Sequence, residues 1–324
     1  MKLIIQIPCL NEAETLPQVL RDLPTRIEGV DVIERLVVDD GSTDGTAEVA
    51  RSLGVEHVLR MGTTQGLANA FRRGVDHALR HGADIVVNTD GDNQYCGADI
   101  PKLLQPILER KADLVVGCRP IVDHPEFGFA KKLLQLLGSR TLQMISKTDV
   151  RDAASGFRAF SRETCKRLHV YSAFSYCMET LVQAGNIGLR VASVDIRVNP
   201  STRPSRLFKS IPQYVRKSGG TMLAMFVLYR PGRFFMMIAT AFMMVALFLS
   251  LRFLWLVYLT PYPDHTRTYL PSIIVMAVCA ISSFLMMALS VLGELMKTQR
   301  RLGEEKLYLL RKMYYENRPP DHER

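Results

Sequence analysis

Two long apolar stretches near the end of the chain restrict its fold more than any other feature. Phe234 to Leu251 holds no charged residue and continues after Arg252 as Phe253 to Leu259, and Leu270 to Leu292 is a second charge-free run. Each can cross the roughly 30 Å hydrocarbon layer as a helix. A helix that is apolar on every side leaves no face for water, which disfavours a soluble setting. The connection from Thr260 to Tyr269 is short, so the two spans are expected to form a hairpin. Arg252 can snorkel toward the interface, and Trp255, Tyr258, Tyr262 and Tyr269 suit an interfacial belt.

Charge sets the expected orientation. Arg203 to Arg233 holds seven basic residues (Arg203, Arg206, Lys209, Arg216, Lys217, Arg230, Arg233) and no acidic one, and Lys297, Arg300 and Arg301 follow the second span. The positive-inside rule then places both ends in the cytoplasm and the hairpin loop outside, for a multi-pass protein of the cell (inner) membrane. Leu207, Phe208, Ile211, Tyr214 and Val215 recur near helical spacing, which predicts a basic amphipathic helix on anionic lipid, broken at Gly219-Gly220. Met1-Lys2 runs straight into a strand pattern, so no cleavable signal peptide is expected. The expected divisions are 1–205 as a cytosolic α/β domain, 206–232 as interfacial helices, 233–292 as the two spans and 293–324 as a cytosolic tail with a peripheral helix.

The first part of the chain reads as α/β. Strands near 2–7, 33–39, 55–60, 84–90 and 113–118 alternate with helical stretches, and another strand is expected near 191–198. That alternation predicts a mostly parallel sheet. Ligands bind such sheets outside the carboxyl ends of the strands, and three of those ends carry polar signatures. After the first strand come Pro8, Asn11 and Glu12, and Asn11 with Glu14 has the spacing of a capping box ahead of Leu16, Val19, Leu20 and Leu23. The second strand ends in Asp39-Asp40-Gly41-Ser42-Thr43-Asp44-Gly45-Thr46, a turn and helix cap whose acids can also accept hydrogen bonds from a base or ribose. The fourth delivers Asn88-Thr-Asp90-Gly91-Asp92-Asn-Gln94, where hard oxygen ligands suit Mg²⁺ shared with a substrate phosphate.

Several function classes lose their signatures. No Gly-x-Gly-x-x-Gly follows the first strand and no Gly-x-x-x-x-Gly-Lys-Ser/Thr occurs. The six cysteines are scattered without a Cys-x-x-Cys pair, as expected of reduced thiols, and Cys9 and Cys118 are expected in the packed sheet. The net charge of +9 lies mostly in the membrane-facing segment, which leaves no separate footprint for a nucleic acid.

Pro8-Cys-Leu-Asn-Glu12, Asp39-Asp40-Gly-Ser42, Gln65-Gly66-Leu-Ala-Asn-Ala70 and Asp90-Gly91-Asp92-Asn-Gln94 resemble the successive signatures of family 2 glycosyltransferases with the GT-A fold. Asp152-Ala-Ala-Ser-Gly-Phe-Arg158 is similar to a segment of polyprenyl-phosphate sugar transferases of the dolichol-phosphate mannose synthase type. The resemblance implies a GDP- or UDP-sugar donor, a polyprenyl phosphate acceptor, membrane lipids as surroundings and inverting transfer of one sugar. It implies a Mg²⁺ or Mn²⁺ site at Asp90, Asp92 and Gln94. Pro8, Asn11, Glu12, Asp40, Gly66 and Gly91 join Asp90 and Asp92 around the donor. Asp92, Arg119, Lys132 and Arg158 are the expected catalytic residues. Arg119, Lys131, Lys132, Arg203 and Arg206 are the expected ligands of the acceptor phosphate.

The match departs from the family pattern at Ser175, where a Lys is usual before Met178-Glu179, and at Ser205-Arg206-Leu207, where Arg replaces Lys. A processive polysaccharide synthase or a transferase to another lipid acceptor is the alternative, and against the synthase Gln213-Tyr-Val-Arg216-Lys217 lacks the Trp of its Gln-x-x-Arg-Trp motif. A non-enzymatic scaffold is disfavoured by the intact acids. A two-span hairpin buries little by itself and could pack against copies of itself.

Overall fold

The structure is a computed structural model, and it describes residues 1–120, 143, 146–171, 176–200, 219–220, 223–259 and 269–316. Lys131, Lys132, Ser175, Arg203, Arg206, Asp264 and the expected amphipathic helix near 207–215 lie outside the described residues. Two units are distinguished, Met1–Gly220 with Glu304–Arg324, and Thr221–Gly303.

Unit one is a seven-stranded sheet. Its strands are β1 (Lys2–Cys9), β2 (Val32–Asp39), β3 (His57–Arg60), β4 (Ile85–Asn88), β5 (Leu114–Cys118), β6 (Arg158–Ser161) and β7 (Val191–Asp195), in the order β3-β2-β1-β4-β6-β5-β7. The first four in that order run parallel, β6 is antiparallel to both β4 and β5, and β7 is parallel to β5. Leu3, Ile4, Ile5, Ile7, Leu36, Val37, Val38, Val86 and Val87 are fully buried, as the continuous apolar runs require of strands covered on both faces.

Helices cover the faces. They are α1 (Leu16–Asp22), α2 (Thr46–Ser52), α3 (Leu67–Arg80), α4 (Ile100–Leu108), α5 (Arg162–Arg167) and α6 (Tyr176–Asn186). The buried stripe of α3 is Ala68, Phe71, Val75, Ala78 and Leu79, the helical spacing of a core-facing side. Gly74 on that helix lies against the sheet, and a Cβ there would come within 2.5 Å of Gln6 Oε1.

Three expectations need correction. Asn11 does not cap α1: it sits at φ 56°, and Thr15 is the residue before the helix. The Asn11 side chain instead accepts a hydrogen bond from Thr43 N at 2.9 Å, so it serves the neighbouring loop. The strand β6 was not foreseen. It is four residues long, opens on an arginine, and enters the sheet out of chain order. The third point concerns the tail, which is helical to Glu316 as expected but continues the helix that begins at Leu270.

Unit two and the tail share that helix. Helix α7 (Pro231–Leu254) is followed by a π-helical turn (Trp255–Leu259), and α8 runs unbroken from Leu270 to Glu316. Each of these helices carries an 18-residue stretch of mean hydropathy 2.4, long and apolar enough to cross a membrane. Met237, Phe248, Phe284 and Met296 are each about two-thirds exposed or more, an exterior that suits hydrocarbon. Where α7 and α8 touch within this unit the residues are small, and small residues let two backbones approach. Ser283 Oγ donates to Ala239 O at 2.8 Å and Ser290 Oγ to Gly232 O at 2.9 Å. A Cβ on Gly293 would meet Pro231 Cβ at 2.7 Å. The end of α8, within unit one, packs on the α/β domain: Arg311 Nη1 donates to Leu168 O at 3.1 Å and Lys166 pairs with Glu316 at 3.0 Å.

Candidate active site

The loops leaving β1, β2 and β4 meet at one edge of the sheet because those strands are parallel neighbours in register. Hydrogen bonds then stitch loop to loop. Asn11 N donates to Ser42 Oγ at 2.9 Å and Glu12 N to Thr46 Oγ1 at 2.9 Å, joining the β1 loop to the β2 loop. Thr15 Oγ1 lies 2.9 Å from Glu12 Oε2 and 2.7 Å from Gly91 O, joining the β1 loop to the β4 loop. Gly91 allows that closeness, since a Cβ there would come within 2.9 Å of Cys9 Sγ and 3.2 Å of Glu12 Cγ.

Asp40 is buried, and both of its carboxylate oxygens hold backbone. Oδ1 accepts from Gln65 N and Oδ2 from Gly66 N, each at 2.8 Å. Asp40 therefore fixes the turn that starts α3, whose N-terminal neighbour is Gly66 at φ 92°. Gly66 needs that freedom, for a side chain disfavours positive φ. Asp39, beside it, accepts from Ser42 N at 2.8 Å through Oδ1, while its buried Oδ2 has no hydrogen-bond partner among the described residues.

Asp90 and Asp92 follow β4. Asp92 Oδ1 accepts from Gln94 N at 3.1 Å, an Asx-type turn in which Asn93 takes φ 59°. Burial pushes the Asp90 carboxyl up to about 7, the neighbouring Asp92 and Glu12 push the same way, and the Arg119 guanidinium opposes them. Carboxylates crowded until one resists ionisation are the electrostatic signature of a place for a cation. Carboxylate oxygens suit Mg²⁺ or Mn²⁺ better than a soft metal. The donor set is compatible with the expected ion.

The segment before β6 forms the floor. A Cβ on Gly156 would lie 3.1 Å from Asp90 Oδ1 and 2.8 Å from Tyr176 Oη, so the Asp90 carboxylate rests on a glycine backbone. Gly156 N donates to Tyr95 Oη at 3.0 Å, and Tyr95 stacks on Phe157 with centroids 5.1 Å apart. Below them runs a buried polar chain. Gln6 Nε2 donates to Asn88 Oδ1 at 2.9 Å, and Asn88 Nδ2 donates to Tyr176 Oη at 2.8 Å and Gly156 O at 3.0 Å.

Two expected cations behave differently from the sequence reading. Arg158 is fully buried and cannot meet a phosphate from solvent. Its guanidinium donates to Ser155 O, Cys177 O, Thr180 Oγ1 and Ala153 O at 2.7–2.8 Å, so it organises the floor instead. The correction has a simple cause: an arginine that opens a central strand points into protein, and backbone carbonyls satisfy it. Arg119 is mostly buried and holds Asp152 with two nitrogens, Nε at 2.7 Å and Nη2 at 3.1 Å. It lies close enough to Asp90 to shape that carboxyl electrostatically.

Pro8, Asn11, Glu12, Asp40, Gly66, Asp90, Gly91, Asp92, Gln94 and Arg119 thus occupy the loops and strand ends on one edge. Cys9 and Cys118 are buried with their thiols pushed up, burial being the main cause, and take the packing role expected of them. Asn88, Tyr95, Asp152, Gly156 and Tyr176 were not singled out for the site. Asn88, Asp152 and Gly156 stand inside the acidic and Asp152–Arg158 motifs, where their position was the available signal; Tyr95 and Tyr176 carried none.

The strand order and the acidic strand ends define a GT-A-like nucleotide-sugar transferase domain. The same fold occurs in glucosyl-3-phosphoglycerate synthase from Mycobacterium tuberculosis, solved with Mn²⁺, UDP and glucosyl-3-phosphoglycerate, at a TM-score of 0.54, 22% identity and coverage of 70% of this chain and 78% of that one. The model of the family described as Glycosyl transferase family 2 matches residues 4–168, and the chain belongs to that family. It is 29% identical over 209 residues to the undecaprenyl-phosphate mannosyltransferase of Micrococcus luteus, covering 60% of this chain and 83% of that protein. It is likewise 29% identical over 206 residues to the polyprenol monophosphomannose synthase of Mycolicibacterium smegmatis, covering 60% and 76%.

Proposed function

We propose that the protein moves one sugar from a nucleoside-diphosphate sugar to a polyprenyl phosphate at the cytoplasmic face of the membrane, with inversion at the anomeric carbon. One observation carries the reading: a single chain joins an acidic cleft built on Asp90 and Asp92 to two apolar helices long enough to span a bilayer. A sugar nucleotide is met by clustered oxygen ligands and a lipid acceptor is met at a membrane. Mannose is the first sugar to test, because two relatives carry its transfer in their names.

Asp90 and Asp92, with Gln94 beside them, would hold Mg²⁺ or Mn²⁺. When bound, such an ion neutralises the diphosphate as the anomeric bond breaks. Glu12 and Asp40, with the backbone at Pro8, Asn11 and Gly66, are assigned to the nucleoside side, Asp40 acting by holding the Gln65–Gly66 turn. The acceptor phosphate is already anionic, so its oxygen attacks the anomeric carbon without a general base. The bond to the nucleoside diphosphate breaks on the opposite face, and inversion follows. Arg119 supplies positive charge near Asp90, and Lys131, Lys132, Arg203 and Arg206 are assigned to the acceptor phosphate. The basic residues Arg230, Arg233, Lys297, Arg300 and Arg301 flank the spans and support cytoplasmic ends by the positive-inside rule.

The test is a screen of radiolabelled sugar nucleotides with membranes containing the full chain and short polyprenyl phosphates. A chloroform-soluble, mild-acid-labile product carrying one sugar is expected. A product that lengthens with time into a polymer, or transfer only to water-soluble acceptors, would overturn the reading.

A further inference from the structure

A second cluster of ligand atoms lies away from the acidic cleft. His57 opens β3, while His77 and His81 stand one turn apart on the last part of α3 and just beyond it. The cleft lies at the start of that helix, beside Gly66, so His81 is roughly 20 Å further on at 1.5 Å per residue. One nitrogen from each of the three rings lies within 4.8 Å of the other two. The ring centroids are 4.0 Å apart for His77–His81, 4.5 Å for His57–His81 and 5.0 Å for His57–His77.

Hydrogen bonds determine which nitrogens carry lone pairs. His81 Nδ1 lies 2.8 Å from His77 O, and a carbonyl only accepts, so Nδ1 bears the hydrogen and Nε2 the lone pair. That Nε2 is buried without a hydrogen-bond partner among the described residues, on a residue more than nine-tenths buried, and His77 Nε2 is likewise buried and without one among them. His57 Nε2 lies 2.8 Å from Glu34 Oε2, which leaves the lone pair on Nδ1. Glu34 is itself held by Lys2 Nζ at 2.8 Å. A carboxylate on the far nitrogen is the usual support of a metal-bound imidazole.

We propose that His57, His77 and His81, with Glu34 orienting His57, form a binding site for a borderline transition-metal cation, Zn²⁺ in the first instance. Imidazole nitrogens suit Zn²⁺ and not Mg²⁺, so the site and the acidic cleft would select different ions. Tetrahedral Zn–N bonds of about 2.05 Å put the nitrogens roughly 3.4 Å apart, so the rings need close by no more than about 1.4 Å, within reach of side-chain rotation. The carboxyl end of α3 adds the negative end of its dipole. The ion would tie β3 and, through Glu34, β2 to the end of α3.

The experiment uses the tag-free full-length protein in detergent, stripped with chelator and titrated with Zn²⁺ against a chromophoric chelator under saturating Mg²⁺. One equivalent is expected with a Kd on the order of 1 µM or tighter. His77→Gln and His81→Gln should each weaken it at least tenfold, Glu34→Gln by about tenfold, and Asp92→Asn should leave it unchanged. Zn²⁺ should also raise the midpoint of thermal unfolding of the wild type and not of His81→Gln. Failure of the wild-type protein to take up that equivalent would overturn the proposal whatever the variants do. So would uptake that survives both histidine substitutions or disappears in Asp92→Asn.

Discussion

Replacing Arg119 by alanine tests how the floor of the cleft is held. The guanidinium makes a two-nitrogen contact with Asp152, whose side chain is wholly buried while that of Arg119 is 13% exposed. Removing one member of a buried pair strands the other, at a cost of roughly 3–5 kcal/mol. For a domain of this size each kcal/mol moves the thermal midpoint by about 2–4 °C, so Arg119→Ala should lower it by about 6–20 °C. Adding Asp152→Asn removes the stranded charge, and the double variant should therefore be more stable than the sum of the single changes by roughly 1.5–3 kcal/mol. The substitution has a second effect. Arg119 opposes the burial and the neighbouring acids that raise Asp90 to about 7, so its loss raises Asp90 further. The pH midpoint for Mg²⁺-dependent nucleotide binding should move upward. Differential scanning fluorimetry of the detergent-solubilised chain and nucleotide binding across pH 6–9 read the two effects. A drop of less than about 3 °C, or strict additivity in the double variant, would refute the structural account of the pair. An unchanged binding midpoint would refute the electrostatic one.

Asp92→Asn removes a charged oxygen ligand at a partly exposed position, so transfer should fall below a few per cent of wild type while the thermal midpoint stays within about 2 °C. Persistent activity, or indifference to chelator, would remove the metal assignment. Gly156→Ala sets a methyl 2.8 Å from Tyr176 Oη and 3.1 Å from Asp90 Oδ1. It should cost about 1–3 kcal/mol and reduce transfer more than tenfold, and a fully active, stable Gly156→Ala protein would show that this floor is not rigid. Asp99, buried beside the β4 loop, would be pushed up by burial, but Arg197 and Lys102 bring it down to about 2. Its folded value lies below its unfolded one, so its stabilisation is complete above about pH 4 and disappears as the pH falls through about 2. Acid unfolding of Asp99→Asn compared with wild type should lose that component, and identical profiles would contradict it.

What could be read from the sequence was local. Apolar runs such as Leu36–Val38 and Ile85–Val87 lead directly or within two residues into acids, so the strands and the acidic cleft are legible together. The two long apolar helices were legible because no polar face interrupts their sequence. What escaped depends on contacts between distant segments. Strand β6 is too short to show a period, and its antiparallel place between β4 and β5 is decided by pairing Val86 with Phe160 and Val115 with Ala159. Arg158 reads as a catalytic cation because charge suggests an exposed site, whereas here the carbonyls of Ala153, Ser155 and Cys177 receive it. Asn11 read as a helix cap because its spacing to Glu14 was right, but Thr43 offers the competing partner and belongs to another loop.

The misreading of Arg158 belongs to a wider feature, the buried polar chain under the cleft. Gln6, Asn88 and Arg158 stand at positions where a parallel sheet ordinarily places Val, Ile or Leu, and each is fully buried. Such residues are tolerated only when their hydrogen bonds are made, and those of Asn88 and Arg158 are. Gln6 Oε1 has no partner among the described residues, a local cost accepted at the point where Gly74 presses α3 against the sheet. Their partners are the backbone of Gly156, Ser155 and Ala153 and the hydroxyl of Tyr176. These are the atoms that fix the height of the glycine on which the Asp90 carboxylate rests. An apolar core would hold the sheet as well, but it would leave that carboxylate resting on a segment free to shift. The polar chain couples the position of Asp90 to hydrogen-bond lengths, and a shift of the floor therefore breaks buried bonds.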